Sequence, residues 1–148
     1  MATLTLQTSM EFTAALSCAL FAGAAAYINA VEHPARMSCG TEAAATEWAL
    51  SYKRATWMQA PLAVVGFVCA LIAWLAGSSI LWVIGGVLLG LVVPFTLVVI
   101  MPTNKRLLAS DLDKRSEETR KLLDRWNRLH AIRTALSVVA LVLFLVEG

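Results

Sequence analysis

Four long apolar stretches constrain this chain more than any other feature of its sequence. They cover about residues 12–31, 57–76, 80–101 and 128–146. As helices rising about 1.5 Å per residue, such stretches cross or nearly cross the ~30 Å hydrocarbon core of a bilayer. Charged residues make up only 15% of the 148 residues, against roughly 25% in soluble domains. The sequence therefore predicts one integral membrane domain, residues 1–148, folded as an all-α four-helix bundle.

The positive charges predict how the bundle is oriented. Of the 12 Lys and Arg residues, Arg36, Lys53 and Arg54 lie in the first connection and the rest lie between Lys105 and Arg133. The positive-inside rule then places both long loops in the cytoplasm and both termini outside, in a bacterial-type plasma or inner membrane. A cleaved signal peptide needs a basic first region. Residues 1–35 contain no Lys or Arg, so we expect the first helix to be retained.

The polar parts of the chain carry weaker local signals. Residues 1–10 are predicted to be a short polar segment before the first span. Residues 37–56 are predicted to be a polar connection with a short helix over 46–54. Ser110, with Asp113 three residues later, is typical of a helix N-cap. The charged helix that follows is interpreted as a solvated extension of the fourth span, rather than as a surface for anionic lipid or nucleic acid.

Small residues recur at helix-contact spacing in two spans. Ala15, Ala19 and Gly23 repeat every four residues, and Gly86 with Gly90 forms a GxxxG pattern. Such patterns let helices approach closely in a membrane. They allow a homodimer, but they serve contacts within the bundle equally well.

The start of the fourth span carries a polar face. Trp126, His130 and Arg133 stand at i, i+4 and i+7, so they share one side of a helix. The sequence beyond His130 is almost wholly apolar, which carries this face to membrane depth. An imidazole and a guanidinium are costly there unless they face the bundle interior or a cavity. This face therefore predicts one wall of a polar pocket.

The predicted topology brings other polar residues to the same end of the bundle. The first span ends there, the second begins there and the third ends there. These three helix ends carry Asn29, Glu32, His33, Arg36, Gln59 and Asn104. We expect them to meet the polar face of the fourth span in one pocket at the cytoplasmic end.

A metal site is one interpretation of these residues. His33 and His130, with Glu32 as a third ligand, suit copper, iron or zinc. Two nearby arginines raise the cost of binding a cation, so no metal or other cofactor is favoured. The three cysteines, Cys18, Cys39 and Cys69, are odd in number and form no CxxC, which indicates free thiols.

Three motifs in register resemble the anthrone-oxygenase-like family of small four-helix membrane proteins. They are Glu32-His33-Pro34-Ala35-Arg36, then Pro94-Phe95-Thr96 leading to Met101-Pro102-Thr103-Asn104-Lys105-Arg106-Leu107, and Leu122-Leu123-Asp124-Arg125-Trp126 with His130 and Arg133. The resemblance extends over nearly the whole chain. It implies a site of His33, Arg36, Asn104, Trp126, His130 and Arg133. Members from polyketide pathways resemble cofactor-free oxygenases that convert an anthrone to an anthraquinone, whereas most members have no known function. The resemblance implies no particular substrate for this chain.

The first hypothesis is cofactor-free oxygenation of a hydrophobic phenolic or quinol-type molecule by O₂. A histidine would be the base, because its ordinary pKa lies near working pH. His130 is preferred to His33 because it is placed more deeply. Arg133 or Arg36 would hold the oxyanion, where low dielectric makes a fixed cation most effective. Asn104 would orient a carbonyl and Trp126 would stack on a planar ring.

The other candidate residues have supporting roles in that hypothesis, and two other hypotheses stay open. Glu32 would orient a histidine or neutralise an arginine, while Gln59 and Asn29 would contact the substrate. The second hypothesis is the His-ligated metal-dependent oxidoreductase described above. The third is a non-enzymatic membrane accessory or binding protein, in which the polar residues clasp the helix ends together.

Overall fold

Helices account for nearly all of the structure, a computed structural model that describes residues 2–147, with side chains from residue 5 onward. They are α1 (Ala2–Tyr27), α2 (His33–Ser38), α3 (Thr41–Leu75), α4 (Ile80–Phe95), α5 (Met101–Leu107) and α6 (Glu117–Glu147). Two π-helical segments, Ile28–Glu32 and Thr96–Ile100, join α1 to α2 and α4 to α5 without a break. Four continuous helices result, each long and apolar enough to cross a membrane. This confirms the predicted all-α membrane bundle.

The four helices form an up-down bundle. α1 and α4 each pack against both α3 and α6, while the diagonal pairs touch little. Gly77, with φ of 115°, lets the chain turn tightly from α3 into α4. The Cys39–Gly40 connection and residues 108–116 lie together at the other end, which we call the basic end because the Lys and Arg side chains cluster around it.

The buried face of α1 differs from the predicted one. Gly23 is exposed, and Ala15 and Ala19 are only partly buried, so the predicted contact stripe was wrong. Between residues 13 and 26, small residues occur on every side of this helix, so size alone cannot tell one face from the next. The buried face instead includes Ala14, Cys18, Phe21 and Ala25.

The GxxxG pattern of α4 faces α3 of the same chain. A Cβ added at Gly86 would lie 2.8 Å from the Cβ of Ala70, and one at Gly90 would lie 3.1 Å from the ring of Phe67. Both glycines are therefore needed for close packing inside the bundle.

At the basic end, α3 begins earlier and α6 begins later than the sequence predicted. Residues 41–56, predicted as polar connection, are the first turns of α3, because Ala44, Ala45 and Trp48 are buried in an apolar cluster there. α6 begins at Glu117, so the predicted cap at Ser110 was wrong. The cap is Ser116, whose hydroxyl oxygen accepts a hydrogen bond from the backbone N–H of Thr119 at 3.2 Å.

Ion pairs hold residues 108–116 against the helix ends. Arg106 pairs with Asp111 and Glu118, and Arg115 pairs with Glu42 at the start of α3. Hydrogen bonding to Glu42 raises the pKa of Arg115. These pairs are exposed and screened by solvent, so they fix the path of the loop and add little to the stability of the fold.

Each π-helical segment ends two residues before a proline, the first before Pro34 and the second before Pro102. A proline in a helix lacks an N–H and its ring clashes with the carbonyl four residues back. The wider π turn relieves this clash, and the N–H of His33 bonds the carbonyl of Ile28, five residues back. Each π turn also shifts the helix register by one residue, so Arg36 and Asn104 reach a face that regular α-helical spacing does not predict.

Candidate functional site

A cavity of about 120 Å³ lies in the basic half of the bundle, between α3 and the second π-helical segment. Seven of the nine predicted site residues line it: Glu32, Arg36, Gln59, Asn104, Trp126, His130 and Arg133. The other two, Asn29 and His33, lie beside it without lining it. The bundle thus brings the predicted residues to one end, and their roles remain predictions.

His130 is almost completely buried, with 1% of its surface exposed. Its ring stacks on Trp126, one helical turn earlier on α6, with centroids 4.8 Å apart. Its Nδ1 lies 2.9 Å from the side-chain oxygen of Asn29 in the first π-helical segment. The imidazole is therefore fixed on one side by a hydrogen bond and on one face by an indole, while it lines the cavity.

Trp126 is the centre of an aromatic cluster. Besides His130, it contacts His33 with ring centroids 5.8 Å apart and meets Trp48 edge-on at 5.7 Å. His33 is buried, and neither of its ring nitrogens has a hydrogen-bond partner among the described residues. The two histidines are therefore linked through an indole rather than facing each other across the cavity.

Arg133 is held by neutral groups. Its Nη2 donates to the side-chain oxygen of Gln59 at 2.9 Å, and its guanidinium carbon lies 5.4 Å from the centre of the Phe21 ring. No described carboxylate lies within ion-pair distance of it. A guanidinium at this depth with only an amide and an arene as partners keeps most of its charge available to an anion.

Arg36 is in the opposite electrostatic situation. It forms an ion pair with Glu32, one turn earlier, and its Nε lies 2.7 Å from Glu47 Oε2 on α3. Only 4% of its side chain is exposed. The two carboxylates neutralise the guanidinium, and the trio joins the first helix to α3.

Asn104 meets two aromatic residues that sequence reasoning missed as site residues. Its Nδ2 donates to the hydroxyl of Tyr52 at 3.2 Å, and Tyr52 stacks on Trp48 with centroids 5.0 Å apart. Both aromatic side chains line the cavity. Their i, i+4 spacing is visible in the sequence, but on a short helix it indicates an apolar side rather than a site.

Several lining side chains carry buried polar atoms that have no hydrogen-bond partner among the described residues. Five of these atoms are nitrogens that donate: Trp48 Nε1, Gln59 Nε2, Arg36 Nη1, Arg133 Nε and Arg36 Nε, which is ion-paired with Glu47 but makes no hydrogen bond. The sixth is the acceptor Asn104 Oδ1. An unsatisfied buried polar group costs about 1–3 kcal/mol. A ligand with several oxygen acceptors would satisfy this excess of donors.

The cavity has a buried apolar cluster toward the basic end and exposed lining on the side of the bundle. Ile100 of the lining belongs to this cluster, together with Leu107 and Leu112. In contrast, Thr56 and Ala60 on α3 line the cavity and are exposed, as is Leu97 opposite them, at 58%. These three residues lie on helices that span the membrane, so the opening faces lipid.

The candidate metal ligands do not form a cluster. Within residues 2–147, no three His, Cys, Asp or Glu side chains are placed to share a metal ion. His33 and His130 each pack on Trp126, and Glu32 is engaged with Arg36. This arrangement gives the metal hypothesis no ligand set. The three cysteines are free thiols, as predicted.

Comparison with known proteins gives one match. Residues 48–143 match the family model described as Anthrone oxygenase. No curated protein and no solved structure matches the chain. The matched region carries Gln59, Asn104, Trp126, His130 and Arg133, whereas the first helix lies outside it.

Proposed function

The chain belongs to the anthrone oxygenase family, and from this premise we propose that it is a membrane-embedded, cofactor-independent oxygenase of a hydrophobic phenolic or quinol-type molecule. One observation carries the proposal. Arg133, a cation whose partners are neutral, and His130, an imidazole held by a hydrogen bond, line the same aromatic-walled cavity. The family supports oxygenase-like chemistry, and the geometry supports the way in which these residues perform it.

The reaction needs only a base, a cation and O₂ when the substrate carries an acidic C–H beside aromatic rings and a carbonyl. His130 removes a proton from the CH₂ group, and Arg133 holds the enolate oxygen that results. The electron-rich carbon bonds to O₂, and the peroxide takes a proton from the imidazolium. Loss of the second C–H proton with cleavage of the O–O bond gives a ketone and water, so that CH₂ and O₂ become C=O and H₂O.

The donor-rich lining favours a substrate with several oxygens. Asn104 and Gln59 lie where they would bond carbonyl or hydroxyl groups, and the rings of Trp48, Tyr52 and Trp126 supply an aromatic wall for a ring. The space is close to that of a cavity that takes one benzene ring, about 150 Å³. A fused-ring substrate would therefore extend through the opening beside Leu97, and a molecule dissolved in the bilayer would reach the cavity directly.

Oxygen consumption tests the proposal. Purified protein in nanodiscs is mixed with anthrone or a hydroquinone, and O₂ uptake is followed with an electrode. We expect uptake that is unaffected by metal chelators and that falls about 10²–10⁴-fold in His130→Ala. If the protein is well folded and no substrate of the panel raises uptake above the protein-free rate, the oxygenase proposal loses its support.

A non-enzymatic role is the second candidate, because polar groups also clasp the helices together. The side chain of Asn29 links the first helix to α6 through Asn127, His130 and Thr134. If replacing His130 lowers thermal stability while a substrate-dependent rate is unchanged, the histidine is structural and the accessory role is favoured.

We also propose that the basic end faces the cytoplasm of a bacterial-type inner membrane, with both termini outside. The exposed Cys39 lies at this end, whereas Cys18 is buried. A membrane-impermeant thiol reagent should label Cys39 only after cells are permeabilised, and a cysteine placed at Glu147 should be labelled in intact cells. The reverse pattern would overturn this orientation.

A further inference from the structure

We infer that Asn29 is a positioning residue, whose side-chain oxygen holds the proton of neutral His130 on Nδ1 and leaves Nε2 free to act as the base. This assignment rests on the proposed function only for its catalytic consequence. The tautomer itself follows from the hydrogen bonds and can be measured without any substrate.

The orientation of the Asn29 amide is fixed by its neighbours on α6. Its Nδ2 lies 3.1 Å from the backbone carbonyl of Asn127 and 2.7 Å from the side-chain oxygen of the same residue. A backbone carbonyl can only accept a hydrogen bond, so the atom facing it has to be the NH₂ group. The side-chain oxygen of Asn29 therefore faces His130 and Thr134.

That oxygen then determines the tautomer of His130. An amide oxygen only accepts, so the His130 Nδ1 at 2.9 Å has to carry a proton and donate it. The hydroxyl of Thr134 donates to the same oxygen from its other side. With Nδ1 protonated in the neutral ring, Nε2 carries the lone pair that a general base needs.

Asn29 was predicted to contact substrate, and the structure favours the positioning role instead. Its nitrogen and its oxygen are both engaged with α6, and it does not line the cavity. Asn29 lies in the first π-helical segment, which directly follows the regular α-helix α1. The π-helical segment before Pro34 thus presents to α6 the side chain that bonds the candidate base.

Nitrogen NMR of histidine-labelled protein in detergent tests the inference directly. The chain has 2 histidines, and His33→Gln identifies which signals belong to His130. A protonated ring nitrogen and an unprotonated one have well-separated ¹⁵N shifts. At a pH where His130 is neutral, we expect almost all of it to be protonated on Nδ1. In Asn29→Ala the proton should distribute over both nitrogens, because no acceptor holds it.

Two further variants separate positioning from a general loss of structure. Thr134→Val removes the other donor to the Asn29 oxygen and should leave the tautomer unchanged. Asn29→Asp keeps an acceptor and should retain the Nδ1 proton while favouring the imidazolium. His130 protonated on Nε2 in the wild-type protein, or an Asn29→Ala spectrum identical to wild type, would overturn the inference.

Activity gives the second readout. In a Ser-His-Asp triad, an amide that holds the wrong histidine tautomer costs about 10⁴-fold in rate. Asn29→Ala only releases the tautomer, so part of His130 keeps Nε2 free and we expect kcat to fall by a smaller factor, roughly tenfold or less, in a protein that still binds a phenol inhibitor with wild-type affinity. If the tautomer shifts as expected but neither the wild-type protein nor any variant is active on any substrate, the positioning role of Asn29 stands and the oxygenase proposal fails.

Discussion

Arg36 and Arg133 line the same cavity, yet their surroundings are opposite. Arg36 lies between the carboxylates of Glu32 and Glu47, whereas Arg133 has only the amide of Gln59 and the ring of Phe21. Two arginines that line one cavity can therefore have different tasks. A neutralised guanidinium joins helices, and one without a counter-ion can stabilise negative charge on a bound molecule.

The largest effect should come from removing the cation that has no counter-ion. Arg133→Gln should lower substrate-dependent O₂ uptake by about 10²–10³-fold, since a fixed donor to a developing oxyanion is lost. Thermal stability should not fall, because the variant removes an uncompensated charge from the bundle. Arg128→Gln changes an exposed arginine on the same helix and is the matched control, with a wild-type rate expected.

The other arginine should show the reverse pattern. Arg36→Gln leaves Glu32 and Glu47 without their cation, and stability in detergent should fall by about 2 kcal/mol. This is less than the ~3–5 kcal/mol of fully buried pairs, because both carboxylates are partly exposed. The triple variant with Glu32→Gln and Glu47→Gln should recover most of the loss. A triple variant as unstable as Arg36→Gln would show that the charges are not the cause.

A third substitution tests whether ligands approach Arg133 from the lipid side. Leu97→Trp should narrow the opening and lower kcat/KM for a fused-ring substrate by about tenfold, with little change for a single-ring one. Leu91 lies on the same continuous helix, is also exposed and does not line the cavity, so Leu91→Trp is its control. Equal losses in the two variants would contradict access at Leu97.

The smallest effect should come from removing one of the two carboxylates that neutralise Arg36. Glu32→Gln removes one of its two carboxylates and should tighten binding of a phenolate inhibitor by roughly fivefold, about 1 kcal/mol. The neutral methyl ether of the same inhibitor should bind as it does to wild type. Titration calorimetry of both ligands checks this, and equal tightening for the two would point to a change of shape instead of charge.

The sequence predicted the bundle and the end at which its polar residues meet. Apolar length and the one-sided charge distribution are properties of whole segments, so they survive errors of a few residues. The convergence of Gln59, Asn104 and Arg133 in one cavity follows from the up-down topology that these properties imply.

Finer placement depended on contacts that a single sequence does not show. The π turns before Pro34 and Pro102 change the helix register, so regular spacing could not predict that Asn29 contacts His130 while His33 packs beside Trp126. The residues before the second predicted span looked like a polar connection. Burial of Trp48, which only the tertiary fold decides, makes them part of α3.

The most direct test of the account is the ionisation of a phenol bound in the cavity. A chromogenic naphthol is bound to the protein at a fixed pH, and absorbance reports the fraction present as naphtholate. The account predicts a higher naphtholate fraction on the wild-type protein than in solution, with the excess lost in Arg133→Gln and only partly reduced in Arg36→Gln, which leaves Glu32 and Glu47 without their cation. An excess that survives in Arg133→Gln, or that disappears in both variants alike, would contradict the distinction between the two arginines.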